Sequence, residues 1–456
     1  MRSLVPALLL LAACSKSDPK PSAAPAPAPS AAAQPPASAA AASSGPASSA
    51  AALPAKPRNV LFVTIDSLRA DMPWNGYSRA IAPNLAALAE KCTTYSNAYS
   101  VSSYTAKSVA AFLSGQYPST LYRSGFFFAN YATANQFMAE RLHENGLATL
   151  AWFGHMYFSR AKGLEQGFDE WRTVPGITFD PETDNHVTSD KMTALGIELL
   201  GKSELKTKQF FAWGHYMDPH DQYNRHEEAP NFGNKARDRY DQEVFYTDLW
   251  VKKLLDFVDQ QAFAKDTYLV VSADHGEAFG EHGMYKHAFE LWEVLTRVPL
   301  FVCGPGIKAQ RITERRSHID LVPTFLDLLG QKAAPELPGK SLVPELTGQE
   351  AAKNREPIYL ELTEDSHNPP RRAIIRGDYK LIWSGPGDKF QLFNLTADPG
   401  EEKDLSRAEP DKLKDMVAGY HAFWDKLPMV EPYGNMKLHD GGTARGPTGP
   451  ASAAGK

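Results

Sequence analysis

Charge of one sign is what this chain most clearly lacks. Forty-eight basic and 53 acidic residues leave a net charge of -5, and no basic block or basic-aromatic interleaving occurs. A nucleic-acid partner is therefore excluded as a working idea. Long apolar runs are missing too. The N-terminal run is too short to span a bilayer and no later one replaces it. No internal repeat is present. Cysteine is scarce, at three residues. Cys92 and Cys303 sit in apolar surroundings on different elements, which favours two buried free thiols over a disulfide and leaves the choice between them open.

The N-terminus carries what is distinctive. "MRSLVPALLLLAAC" has one basic residue, a short apolar stretch and small residues before Cys14. That pattern is similar to a bacterial lipoprotein signal, with Cys14 as the lipidated residue. Residues 15–57 are almost wholly Ala, Pro and Ser, which cannot bury a core and reads as an extended tether. The expected setting is the bacterial cell envelope, lipid-anchored and facing the periplasm or on the outer membrane.

Order is expected from residue 58. "NVLFVTID" is a continuous apolar, β-branched run, as in a strand buried on both faces. "FFAWGHYMD", "TYLVVSADHG" and "VPLFVCGPG" repeat the pattern, with helical stretches such as "APNLAALAEKC" and "TANQFMAERLHENG" between. The expected class is α/β: a mainly parallel sheet sandwiched by helices over residues 58–355. From residue 356 to 430, "PIYLEL", "RRAIIRGDYKLIW" and "FQLFNL" followed by a helical segment predict a small antiparallel sheet with one helix. The Gly- and Ala-rich residues 431–456 read as a disordered tail.

In an open parallel sheet, ligands bind beyond the carboxyl ends of the strands. Those ends carry Asp66, then Asp218 and His220, then Asp274 and His275. Carboxylates and imidazoles leaving three strands at one edge form a metal-site pattern. In "SVSSYTAKSVAAFLSGQYPS", Thr105 stands at the start of a helix, where free N–H groups and the helix dipole favour an anion. A divalent ion held by Asp66, Asp274 and His275 would activate its hydroxyl. Ser102, Ser103 and Ser108 are neighbouring caps or substitutes. His220, Lys286 and His287 are expected to stabilise charge on a transferred group, and Lys107 to neutralise a bound anion. The imidazole of His275 favours zinc or manganese over the calcium or magnesium of an all-oxygen set.

"NVLFVTIDSLRAD", "FLSGQYPS", "HYMDPHDQY", "SADHGEAFGEHGMYKH", "TRVPLFVCGPG", "HIDLVPTFLDLLG" and "YKLIW…QLFNLTADPGEEKDL" together resemble the sulfatase branch of the alkaline phosphatase superfamily. The resemblance runs from about Asn59 to about Leu405. It implies the same α/β sandwich with a smaller C-terminal sheet. It also implies Asp66, Thr105, Asp274 and His275 as the metal-site residues, with Arg69 supporting Asp66.

The departures are informative. Sulfatases of this type convert a Cys or Ser, in a Cys-x-Pro-Ser-Arg pattern, to formylglycine. Here the stretch is "TAKSV", with Thr105 at the nucleophile position, Lys107 for Pro and Val109 for Arg. Ser67 stands where sulfatases carry a second acidic ligand. A threonine ester cannot expel its anion by the elimination open to an aldehyde hydrate. It must be displaced at the transferred atom, which suits phosphorus. "DHGEAFGEHGMYKH" also resembles the phosphoethanolamine transferases, which use threonine; that likeness makes His287 a contact to the phosphoryl group. The expected function is hydrolysis or transfer of phosphate-type, or less readily sulfate, esters through Thr105, with an envelope lipid or polysaccharide as the anionic substrate. The alternative is an inactive member of the fold that binds an anionic envelope polymer.

Overall fold

The computed structural model describes residues 58–177, 187–332, 334–385 and 387–434. The expected signal, Cys14 and tether therefore lie outside the described residues, as does the tail beyond residue 434. The strands are β1 (Asn59–Ile65), β2 (Thr93–Tyr99), β3 (Ala148–Phe153), β4 (Glu170–Thr173), β5 (Phe210–Tyr216), β6 (Thr267–Ala273), β7 (Ala278–Phe279), β8 (Tyr285–Lys286), β9 (Arg297–Cys303), β10 (Gln310–Ile312), β11 (Arg316–Ser317), β12 (Ile358–Leu362), β13 (Arg371–Arg376), β14 (Tyr379–Ser384) and β15 (Lys389–Asn394). The helices are α1 (Pro83–Ala89), α2 (Thr105–Ser114), α3 (Met138–Glu144), α4 (Tyr157–Arg160), α5 (Ser189–Leu200), α6 (Ala236–Asp259), α7 (Glu293–Thr296), α8 (Leu321–Leu328), α9 (Val343–Leu346) and α10 (Pro410–Trp424).

The main sheet runs β10-β2-β9-β6-β1-β5-β3-β4, with β11 also on β2. Pairing is parallel except along both edges of β9. β1 lies centrally between β5 and β6, and all seven of its residues are buried. Its alternation divides the core. Val60 and Phe62 join the apolar cluster containing α2 and α8, whereas Leu61, Val63 and Ile65 join the one containing α5 and α6. Helices on both faces are what a strand with no polar side demands.

Helix α2 is fixed on the first face by Phe112, whose ring meets Phe62 edge-on at 5.3 Å and Trp213 at 5.6 Å. Truncating such a buried ring costs about 3–5 kcal/mol. The helix stops at Gly115, whose φ of 71° suits a left-handed cap. A Cβ there would come within 2.9 Å of Val322.

The four strands β12 to β15 form an antiparallel sheet in sequence order. Its Ile374, Leu381 and Leu392 pack with Met416, Tyr420 and Trp424 of α10 and with Ile319, Tyr117 and Ala111 of the main fold.

Two expectations are corrected. Cys92 and Cys303 are not free thiols; they form a disulfide with Cα atoms 4.6 Å apart. Strands β2 and β9 are antiparallel neighbours with Thr93 opposite Val302. One step further along the ladder sets Cys92 opposite Cys303. The chain past residue 430 is also ordered at first, because Tyr433 donates its N–H to the Arg123 carbonyl and accepts from Gly125. Among the described residues, no helix is long and apolar enough to cross a membrane.

Candidate active site

Three adjacent parallel strands deliver the site. Asp66 follows β1 directly, His215 is the penultimate residue of β5, and Asp274 and His275 follow β6. The Asp66 N–H still donates to the Tyr216 carbonyl at 2.8 Å, so the carboxylate leaves the sheet at its last ladder bond. Ser67 then adopts a φ of 56°. This left-handed turn lets its N–H face Asp274 Oδ1 at 3.4 Å while its hydroxyl donates to Asp66 Oδ1 at 3.0 Å. The turn after Asp66 thus carries a neutral serine, where the resemblance to sulfatases implies a further acid.

Thr105 is the first residue of α2, and its Oγ1 lies 3.1 Å from His275 Nε2 and 3.4 Å from Asp66 Oδ2. The N-terminal dipole of a ten-residue helix therefore converges on the same point as the strand ends. The neighbouring serines are employed otherwise or stand aside. Ser108 donates to the Ser102 carbonyl at 2.9 Å, and the hydroxyls of Ser102 and Ser103 are buried without a hydrogen-bond partner.

Whether these groups suit a cation follows from their donors. The His275 Nδ1 faces the Gly276 carbonyl at 2.9 Å. A carbonyl only accepts, so Nδ1 carries the proton and Nε2 presents a lone pair. That lone pair points among Asp66 Oδ1 at 3.4 Å and Asp274 Oδ2 at 3.3 Å. Asp274 Oδ2 is buried and receives no hydrogen bond. Acceptors facing acceptors in a buried space fit a bound cation. The ligand atoms of Asp66, His215 and Asp274 also lie within 4.8 Å of one another. His215 Nε2 is 3.2 Å from Asp66 Oδ2. Its Nδ1 sits 2.7 Å from Thr64 Oγ1, which accepts from Trp213 Nε1. Threonine and tryptophan thereby fix the ring's orientation.

Burial and charge set the two carboxylates apart. Burial alone would raise Asp66, but the His215 hydrogen bond and the adjacent imidazoles hold it well below the usual range. Burial, reinforced by the Asp66 charge, pushes Asp274 well above it. Burial brings His275 and His287 down to about 3. Glu277, also buried, is pushed up to about 7.

His287 and His220 form the next layer. The His287 ring centre is 4.3 Å from that of His275 and 4.8 Å from that of His220. His287 Nδ1 is 3.3 Å from Glu277 and 3.5 Å from Ser67 Oγ. Lys286 is 58% exposed and pairs with Asp221 at 2.6 Å. Lys107 is buried and faces Asp365 at 3.7 Å. Burial lowers it to about 8, partly countered by Asp365. An anion-neutralising role for Lys107 would compete with that pair.

Two further expectations need revising. Asp218 is not part of the cluster, since its carboxylate accepts from Thr188 N, Thr188 Oγ1 and Ser189 N and holds the start of α5. Arg69 reaches the site indirectly: its guanidinium donates to the Glu277 carbonyl at 2.5 Å and to Glu281 at 2.8 Å, tying the segment after β6 to the turn after β1. His215 was the residue that sequence reasoning missed. It stands inside an apolar run, and only its register with Thr64 places it behind Asp66.

A fold and site of this kind define an ester hydrolase with a place for a divalent ion. The chain belongs to the sulfatase family: the sulfatase pattern matches residues 58–331, and the pattern of the N-sulphoglucosamine sulphohydrolase C-terminal region matches residues 280–426. Enzymes of this family bind a divalent metal. The choline-sulfatase of Rhizobium meliloti (strain 1021) is 26% identical over 459 residues, covering 80% of this chain and 87% of that one. An ulvan-active sulfatase of Formosa agariphila is 26% identical over 403 residues, covering 77% of each chain. The solved phosphonate monoester hydrolase of Silicibacter pomeroyi shares the fold, with a TM-score of 0.66 at 20% identity, covering 81% of this chain and 94% of that one.

Proposed function

We propose that this protein cleaves or transfers a tetrahedral anionic ester, phosphate-type in preference to sulfate, with Thr105 as the nucleophile. The observation that carries the reading is the Thr105 hydroxyl, 3.1 Å from the His275 lone pair and 3.4 Å from Asp66 at the head of α2. A divalent ion, zinc or manganese in preference to calcium or magnesium, would be held by Asp66, Asp274, His275 and His215 and would lower the pKa of the hydroxyl and polarise the ester.

The chain's own groups do the rest. Thr105 Oγ1 gives up its proton to solvent and forms a bond to phosphorus. The substrate alkoxide leaves with the electron pair of the broken P–O bond and takes a proton from water. Water, or an acceptor hydroxyl, then attacks the same phosphorus and restores the threonine. The helix N-terminus and the imidazoles of His220 and His287 favour the anionic oxygens during both steps. Phosphorus is preferred because a threonine ester has no second hydroxyl on its carbon to expel the group by elimination. The names of the relatives point to sulfate and phosphonate esters, both of this tetrahedral shape.

The setting proposed is the cell envelope, with Cys14 as lipid anchor. The Cys92–Cys303 disulfide supports it, because such bonds persist outside the reducing cytosol. The test is turnover of phosphate monoesters, diesters and sulfate esters by native protein and Thr105→Ala, with metal content measured alongside. Loss of phosphoester turnover in the variant, with metal retained, is the expected result. Sulfate-ester turnover exceeding every phosphoester would overturn the phosphorus preference.

A further inference from the structure

The segment carrying His287 is backbone-strained. Lys286, Ala288 and Phe289 have φ values of 67°, 67° and 60°. Left-handed non-glycine residues are costly, and such conformations persist only where the surroundings over-determine them. On the N-terminal side the restraint is local: Lys286 lies in the two-residue strand β8, paired with β7. The Ala288 N–H donates to the Ser103 carbonyl at 2.9 Å, two residues before Thr105.

On the C-terminal side the restraint comes from the C-terminal sheet. Arg371 of β13 grips Glu290 through Nε at 3.0 and 3.1 Å and Nη2 at 3.0 Å, a forked pair that lysine cannot reproduce. Three residues on, fully buried Lys380 of β14 reaches Glu293 at 3.1 Å and Glu401 at 2.9 Å. Glu401 in turn accepts the Glu293 N–H at 2.6 Å. Both anchors fall just after the strained residues.

We propose that Arg371 is a positioning residue for His287: the C-terminal sheet holds the strained loop so that the imidazole stays against Ser67, Glu277 and His275. The inference rests on the proposed role of His287 in the reaction and adds a function to the second sheet. The Lys380 cluster is the structural anchor of the same loop. Arg371–Glu290 is the adjustable one, with Arg371 16% and Glu290 27% exposed at the side chain.

The test compares native enzyme, Arg371→Met, His287→Ala and the double variant on one phosphoester, with thermal melts of each. Displacing a reacting group by about 1 Å costs on the order of a hundredfold in rate. Arg371→Met is expected to lower kcat about tenfold to a hundredfold, leave KM unchanged, and cost nothing further once His287 is alanine. The His287 imidazole resonances should shift in Arg371→Met. Unchanged kcat and resonances overturn the proposal, and so does an equal loss in both backgrounds. Should Arg371→Met fail to fold, Glu290→Gln carries the same expectations. A fully active His287→Ala would instead overturn the role of His287 itself, which separates the two failures.

Discussion

The Thr105 hydroxyl and the His275 lone pair face each other across 3.1 Å, one from the head of α2 and the other from the end of β6. Neither element positions this contact alone. Phe112 seats the helix on Phe62 of the central strand, and the Gly276 carbonyl fixes the imidazole tautomer. The arrangement sets the hydroxyl among the groups proposed to hold the ion, where a bound cation would activate it as a nucleophile.

Thr105→Ser should keep a measurable fraction of activity, because the oxygen remains at the same point. Thr105→Val, nearly equal in volume, should lose about a thousandfold or more, given the usual cost of removing a nucleophile that acts with its base. Steady-state kinetics on a single phosphoester decides this. Equal rates for Val and Thr would remove threonine from the mechanism.

Metal binding should be legible in stability. Asp66 and Asp274 are buried together, and Asp274 is raised well above the usual range by burial and by the Asp66 charge. With chelator present, Asp274→Asn should melt no lower than the native chain, since it relieves that repulsion. With zinc or manganese added, the native chain should gain thermal stability and the variant should not. A gain equal in both would place the ion elsewhere.

The acid limb of stability should report His318. This residue is fully buried, hydrogen-bonded to Ser272 at 2.9 Å, and burial lowers it to about 3. The native state therefore stays neutral where the unfolded chain takes up a proton. Its contribution is complete above the ordinary histidine value near 6.5 and is lost as pH falls toward 3. Between pH 6.5 and pH 5 that amounts to about 2 kcal/mol. Urea unfolding across this range should show a shallower decline for His318→Gln, and an unchanged slope would contradict the assignment.

The disulfide closes 211 residues of sequence. Replacing Cys92 and Cys303 together by alanine should lower stability by about 2–5 kcal/mol. Thiol titration of the denatured, unreduced protein should find neither residue reactive. Two reactive thiols would restore the free-cysteine reading.

Much of this architecture was legible because buried parallel strands announce themselves as apolar runs. "NVLFVTID" and "TYLVVSADHG" name both a strand and the acid at its end. The C-terminal hairpin was equally plain, since Gly377 separates two short β-rich runs at a φ of 58°. What escaped was whatever depends on lateral register. His215 joins the site only because β5 lies beside β1 with His215 opposite Thr64. Cys92 meets Cys303 only because β9 runs antiparallel to β2. Asp218 looked like a ligand by position, yet its oxygens are committed to the backbone and hydroxyl of the Thr188–Ser189 turn.

The most direct measurement is a rapid quench during phosphoester turnover, followed by peptide mass mapping. A transient phosphoryl group is expected on the peptide containing Thr105, absent in Thr105→Ala. Continued turnover by Thr105→Ala, with no modified peptide in either protein, would contradict it.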